Sequence, residues 1–260
     1  MKIFDSHAHY DDNRFQTEYE GGQQAVLSYV FSQGVERIVN VGAGIETSKA
    51  SIAIAQKYEG VYAAVGIHPN DCGKCGSMRE EMAEIRRLAE QPKVVALGET
   101  GLDFYFTKEN EPQQKDYFHA HLSLAAELGL PVIVHDREAH GPCLQIVKEH
   151  KGVPGVFHSF SGSKELAREL LDLGWYISFS GVVTFKNAPR VQEVAAYVPI
   201  EWMLVETDCP YLAPHPHRGE INHSARLIHT IDKIAQIKGL TPEEAAQITY
   251  ENACRFYRLT

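Results

Sequence analysis

No stretch of this sequence approaches the roughly 20 consecutive apolar residues that a membrane-spanning helix needs. Nor does Met1-Lys2-Ile3-Phe4-Asp5 lead into the apolar run and small-residue site of a secretory leader. Cysteine is scarce: the five residues are an odd number, and their spacing does not suggest a disulfide framework. Free thiols suit a reducing compartment, so the chain is expected in the cytoplasm, with no membrane partner. Cys72-Gly73-Lys74-Cys75 has no second pair at zinc-ribbon spacing and is expected to be an incidental surface loop. Cys209, with no base evident nearby, is expected to be a small packing residue. Basic charge is short as well, with 25 Lys and Arg against 34 Asp and Glu, a net −9. That balance excludes broad electrostatic adhesion to nucleic acid, which needs clustered basic residues. It leaves a phosphate substrate open, because bound cations can reverse the field inside a site. Linker composition and internal repeats are also lacking, so residues 1–260 are expected to form one domain, and no obligate protein partner is evident.

What is present is a regular alternation. Short apolar, β-branched runs bounded by Gly, Pro or polar residues occur at Ile3–His7, Arg37–Val41, Val61–Gly66, Val94–Gly98, Pro131–His135, Gly155–His158, Trp175–Ser180 and Met203–Glu206. Between them lie helical patterns at Gln24–Ser32, Thr47–Lys57, Met78–Glu90, Pro112–Leu128, Ala139–His150, Ser163–Leu173 and Ala188–Ala196. Two more follow the eighth strand: His223–Lys238, and a helix opening at Thr241 with Pro242 in its first turn. Near-continuous apolar strands alternating with helices predict a parallel α/β sheet, and eight units favour a closed (β/α)8 TIM-like barrel with extra C-terminal helices.

His7 and His9 end the first strand, and alternation along a strand points both side chains the same way. An isolated H-x-H is usually a solvated strand end, but here metal-type ligands recur at later strand ends: Glu99, His135, His158 and Asp208. A barrel brings the C-terminal ends of its strands to one mouth, where such enzymes carry their active sites. A metal-dependent hydrolase is therefore expected. Four of the thirteen histidines belong to this set, and His68 after the third strand falls on the same rim. His119, His121, His140, His150 and His229 lie in helical segments and are expected at the surface.

Six motifs in order carry a resemblance: Asp5-Ser6-His7-Ala8-His9, Gly66-Ile67-His68-Pro69, Gly98-Glu99-Thr100-Gly101-Leu102-Asp103, Pro131-Val132-Ile133-Val134-His135 with Arg137, His158-Ser159-Phe160-Ser161-Gly162, and Glu206-Thr207-Asp208-Cys209-Pro210-Tyr211-Leu212. The chain resembles the TatD family of metal-dependent deoxyribonucleases, within the wider amidohydrolase-like barrels. The resemblance implies two divalent ions, one held by His7, His9, Glu99 and Asp208, the other by Glu99, His135 and His158. Glu99 would bridge them, a task a carboxylate can perform with its two oxygens. Imidazole-rich ligation suits Zn²⁺ or Mn²⁺, whereas the family suggests Mg²⁺. The catalytic pair would be Glu99 and Asp208, with Asp208 orienting the attacking water and taking its proton.

Asp103 and Glu206 could orient ligand imidazoles, or could instead bind buried backbone amides. His68, Arg137, Lys186, His217 and Arg218 could contact substrate, and Tyr10, Phe104, Tyr105 and Tyr211 could stack on bases. The sequence departs from the family pattern at Arg218-Gly219-Glu220-Ile221-Asn222-His223-Ser224, where a Lys is replaced by Glu220 and a Glu-Pro pair by His223-Ser224. This loop is expected to border the substrate. The expected activity is exonucleolytic hydrolysis of DNA, or of another phosphoester, through few contacts. A hydrolase of carboxylic esters, lactones, amides or aminoacyl esters is the alternative, and a metal-binding module without catalysis is the remaining one.

Overall fold

A computed structural model describes residues 1–106 and 108–260. Its strands are β1 (Ile3–Ala8), β2 (Val35–Val41), β3 (Val61–Val65), β4 (Val94–Asp103), β5 (Val132–Arg137), β6 (Gly155–Phe157), β7 (Tyr176–Phe179) and β8 (Met203–Val205). Helices α1 (Arg14–Thr17) and α2 (Gly22–Ser32) follow β1. Then α3 (Ile45–Lys57), α4 (Met78–Ala89), α5 (Glu111–Leu128), α6 (His140–Glu149), α7 (Lys164–Asp172) and α8 (Pro189–Tyr197) each follow one further strand. After β8 come α9 (Leu227–Lys238) and α10 (Pro242–Tyr257). The strands pair in sequence order and all in parallel. The backbone after β8 then returns to β1: Asp208 N–H donates to the His7 carbonyl at 2.9 Å and His9 N–H to the Cys209 carbonyl at 2.8 Å. These bonds bring the sheet's two edges together in a nearly closed barrel.

Local signals explain the helix ends. Ser77 and Glu80 form a capping box at the start of α4, as do Thr241 and Glu244 at the start of α10, so orphan amide donors are satisfied from both sides. Two apolar cores result. The larger lies between strands and helices. The smaller fills the barrel interior with Phe4, Val39, Ala64, Ala96, Ile133, Val156 and Leu204, and α10 adds Phe256 and Tyr257 to it. The Tyr257 hydroxyl donates to the Ser6 carbonyl at 2.8 Å, so α10 plugs the end of the barrel opposite the strand C-termini. Among the described residues no helix is long and apolar enough to cross a membrane.

Several details correct the sequence reading. β4 does not stop at Gly98 but continues to Asp103, because Gly98 and Gly101, at φ 138° and 137°, let the chain turn through a register shift and keep pairing with β5. β6 and β8 are shorter than expected, which leaves His158, Glu206 and Asp208 in the loops beyond them. α9 begins at Leu227 and not at His223, since residues 224–226 form a separate 3-10 turn. His121 is fully buried and not at the surface, because the inner face of α5 includes it with Tyr117, Phe118, Leu122 and Ala125. Its Nδ1 donates to the Tyr117 carbonyl at 2.8 Å and its Nε2 accepts from Ile67 N–H at 3.1 Å. Cys72 is buried while Cys75 is exposed, so only part of that loop lies on the surface.

Candidate metal centre

β1, β4 and β5, with the residues just beyond β1, β6 and β8, bring six side chains to one point. Glu99 lies at its centre. One carboxylate oxygen, Oε1, is 2.7 Å from His135 Nδ1 and 2.8 Å from His158 Nε2. The other, Oε2, is 3.5 Å from His7 Nε2 and 3.7 Å from His9 Nε2. Asp208 Oδ1 completes the second group, 3.6 Å from His7 Nε2 and 3.3 Å from His9 Nε2. Asp208 holds a left-handed backbone at φ 56°, pinned by its amide on His7 and its carbonyl, which accepts from Tyr211 N–H at 2.9 Å. An energetically unfavourable conformation is thus maintained to aim one carboxylate.

Outer partners decide what the imidazoles offer inward. A carbonyl oxygen only accepts, so His9 Nδ1, 2.8 Å from the Val41 carbonyl, carries a proton and leaves Nε2 as a lone pair. Glu206 accepts from His158 Nδ1 at 3.2 Å, and Asp103 accepts from His135 Nε2 at 3.3 Å. His158 Nε2 and His135 Nδ1 are then lone pairs as well, only 3.3 Å apart, and His7 Nε2 is 3.0 Å from His9 Nε2. Lone pairs at such distances, beside two carboxylates, repel unless a cation sits among them. The donor set fits divalent metal ions.

Titration tells the same story. Where no metal ion lies among them, the inward-facing nitrogens take up protons instead: burial opposes ionisation of Glu99, yet His158 and hydrogen bonds from the protonated His135 and His158 and from His7 outweigh it and hold its carboxyl well below the usual range. Burial likewise pulls His9 down, but Asp208, Glu99 and Asp11 prevail and raise it to about 9. His158 is raised well above its ordinary value, despite burial, by Glu99 and Glu206. His7 moves the other way, lowered by burial and by its neighbour His158. The cluster holds less positive charge than its carboxylates call for, and protons or metal ions can supply it.

His68 differs from the rest. It lies near Asp103 and His135 in a third group of metal-ligand type. Its Nδ1, however, accepts from Asn70 N–H at 3.1 Å, so in the neutral ring Nε2 carries the proton. That nitrogen lies 3.8 Å from Glu99 Oε1. Burial, with His135 adding to it, lowers the His68 pKa to about 4 and keeps the ring neutral. His68 offers a hydrogen-bond donor where its neighbours offer lone pairs.

A cleft of about 970 Å³ opens over the cluster, lined by His9, Asp11, Asp12, His68, Glu99, Asp136, Arg137, His158, Asp208 and Tyr211 among others. Of the candidate substrate contacts, His68 and Arg137 line it. Lys186, His217 and Arg218 do not. Lys186 is exposed elsewhere, His217 Nδ1 pairs with Glu220 at 3.3 Å, and the Arg218 guanidinium lies 4.2 Å from the centre of the Phe185 ring. The 218–224 loop therefore does not border the cleft as expected. Its residues are engaged in anchoring: Asn222 Nδ2 donates to the Thr207 and Tyr211 carbonyls at 3.0 and 2.8 Å, and Ser224 Oγ donates to Asp5 at 2.6 Å. Tyr10 is no stacking surface either, being buried with its hydroxyl 2.7 Å from Ser224 Oγ, and Phe104 is half-buried against the core.

Asp5 is the residue that sequence reasoning missed. It is fully buried and binds Thr207 through both amide and hydroxyl, at 3.0 and 2.5 Å, tying β1 to the segment that carries Asp208. Burial pushes its pKa up to about 6 against these bonds. The signal was a carboxylate inside the strand, two residues before the ligand His7.

An eight-stranded parallel barrel with imidazoles and carboxylates gathered at its strand ends defines a metal-dependent hydrolase. Comparison with known proteins narrows the class: the family model for TatD related DNase matches residues 4–258, and the chain belongs to that family. It is 40% identical to the uncharacterized metal-dependent hydrolase YabD of Bacillus subtilis, over 99% of each chain. It is 32% identical to the 3'-5' ssDNA/RNA exonuclease TatD of Salmonella typhimurium, over 93% of this chain and 95% of that one. The crystal structure of the TatD homologue YJJV of Escherichia coli superposes with a TM-score of 0.90 at 27% identity, over 99% and 98% of the two chains.

Proposed function

We propose that this chain is a divalent-metal-dependent nuclease that hydrolyses DNA phosphodiester bonds from a strand end. The observation that carries the reading is the division of Glu99: each oxygen faces its own set of ligand atoms, so one carboxylate can serve two cations. His7, His9, Glu99 and Asp208 would hold one ion and Glu99, His135 and His158 the other, with Mg²⁺, Mn²⁺ and Zn²⁺ all compatible. Bound there, the pair would supply an activated water and neutralise charge on the phosphoryl group. Asp208 is held ionised, against burial, by His9, His7 and His158, and so stays ready to orient that water and accept its proton. The His68 N–H would donate to a phosphoryl oxygen, and Arg137 would pair with a neighbouring phosphate. Glu206 and Asp103 keep the His158 and His135 tautomers correct.

Three considerations favour a strand end. The name of the Salmonella typhimurium relative points to single-stranded nucleic acid cut from the end. Asp11, Asp12, Asp71 and Asp136 stand around the mouth, where they would repel a long polyanion lying across it. The cleft is also too small to enclose a duplex. Five free thiols suit a reducing compartment, and we place the enzyme in the cytoplasm.

The test is to strip the protein of metal, reconstitute it with each ion, and assay end-labelled single-stranded DNA, duplex DNA, circular single strands, RNA and carboxylic esters. Metal-dependent shortening of linear single strands is expected, with circular DNA resistant. Turnover of carboxylic esters alone would transfer the same site to acyl chemistry and end the nuclease reading.

A further inference from the structure

We propose that Tyr105 and Phe106, with Arg137, form a stacking platform on the rim of the cleft that holds an unpaired nucleobase next to the scissile bond. The proposal rests on the nuclease reading and adds the part of the substrate that the metal centre does not touch. Tyr105 and Phe106 follow β4 and are 56% and 62% exposed. Their rings meet edge to face, with centroids 4.7 Å apart. The Arg137 guanidinium lies 4.2 Å from the Tyr105 ring centre and 4.7 Å from that of Phe106. Scattered exposed apolar residues need no explanation, but two adjacent rings left in water against Arg137, which itself lines the cleft, point to a ligand.

The ligand's chemistry follows from what surrounds the rings. They offer flat apolar faces, while the guanidinium packed on them keeps N–H edges for an anion. A group that is planar and aromatic and also tethered to a phosphate satisfies both. Carboxylic esters and peptides have no such obligatory pairing, whereas every nucleotide does. Stacking is tolerant of base identity, because every base has a π face. It requires an unpaired base, since a base within a duplex has both faces covered.

The platform is also held at a fixed place relative to the candidate metal centre. Tyr105 and Phe106 N–H groups donate to Asp103 Oδ1 at 2.9 and 3.0 Å, and Oδ2 of the same carboxylate accepts from His135 Nε2 at 3.3 Å. One side chain thus positions both a ligand imidazole and the aromatic rim. Arg137, two residues beyond His135 on β5, links the two along the strand.

The test compares wild type with the Tyr105→Ala/Phe106→Ala double variant on a short single-stranded oligonucleotide and on the same oligonucleotide made fully abasic. Affinity for both is also measured by fluorescence anisotropy in metal-free protein. Loss of the rings should raise KM and Kd on the intact strand by about 10- to 100-fold while kcat changes little. On the abasic strand the loss should vanish, because the rings have nothing to stack on. Tyr105→Phe should behave as wild type. Unchanged KM and Kd in a variant that still folds and cleaves would overturn the platform alone, as would an equal loss on both strands. Failure of metal-loaded wild type to cleave any oligonucleotide would instead overturn the nuclease reading, and the platform with it.

Discussion

Gly101 offers the sharpest test of how tightly the candidate centre is built. A Cβ at this position would sit 2.1 Å from the His135 carbonyl oxygen, with the His135 carbonyl carbon and amide nitrogen at 3.0 and 3.1 Å. The obstacle is backbone, so no side-chain rotation relieves it. Restoring an ordinary 3.4 Å contact requires β4 and β5 to part by about 1.3 Å, between the strands that carry Glu99 and His135. A misplacement of about 1 Å in a catalytic constellation costs on the order of 10²-fold in rate. Gly101→Ala should therefore lower kcat about 100-fold at saturating metal. The substitution also forces alanine to φ 137°, a strain of about 1–3 kcal/mol, and the melting temperature should fall by several degrees. Gly152→Ala separates the two effects: Gly152 is also at positive φ, 88°, but a Cβ there meets nothing within 4 Å among the described residues. It should lose stability and keep its rate. The assay is turnover on a labelled single strand, with metal content by mass spectrometry and melting by calorimetry. A Gly101→Ala protein with full metal content and a rate within about threefold of wild type would refute the close coupling of the two strands to the chemistry.

Other perturbations address single residues. Glu99→Gln should weaken both ion positions and abolish turnover, while Asp103→Asn retains substantial metal; full activity of Glu99→Gln at limiting metal would end the two-ion proposal. Asp208→Asn keeps the left-handed backbone, which asparagine tolerates, and should slow turnover by about 10²–10⁴-fold. If its rate drops only in proportion to metal lost, Asp208 is a ligand and not a base. His121 is buried and its pKa is lowered to about 4 by desolvation, so its contribution to stability is complete above about pH 6.5 and is lost as pH falls towards 4. Between pH 7 and pH 5 wild type should lose about 2 kcal/mol more stability than His121→Gln in denaturant titrations, and parallel losses would contradict this. Binding of single-stranded DNA should show a shallow salt dependence, equivalent to about two or three phosphates; a slope implying six or more would reveal a binding surface elsewhere.

Much of this was legible from sequence because a metal ligand at a barrel mouth leaves a simple trace: an apolar strand that ends in His, Glu or Asp. Side chains that work through the backbone leave less. The Val41 carbonyl that sets the His9 tautomer has no sequence signature at all. Gly98 reads as the end of the fourth strand, although its positive φ angle, with that of Gly101, is what lets β4 continue. Lys186 and Arg218 do not line the cleft, because side-chain direction is set by loop packing that sequence spacing does not encode. His121 was misplaced for a related reason: one polar residue on the inner face of a helix is invisible until the partners that satisfy it, Ile67 and Tyr117, are seen.

The bonds that bring the barrel's edges together also have a consequence in time. His7 and His9, on the barrel's first strand and just beyond it, leave the ribosome before its other strands, and Asp208 follows the last of them. The hydrogen bonds from Asp208 to His7 and from His9 to Cys209 join these two ends of the synthetic order. A nascent chain short of β8 therefore holds an open sheet and an incomplete donor set. Completion of the barrel and completion of that donor set are one event. A cation that binds the closed form more tightly than the open one would act as a latch on the finished protein, drawing the final strand into place.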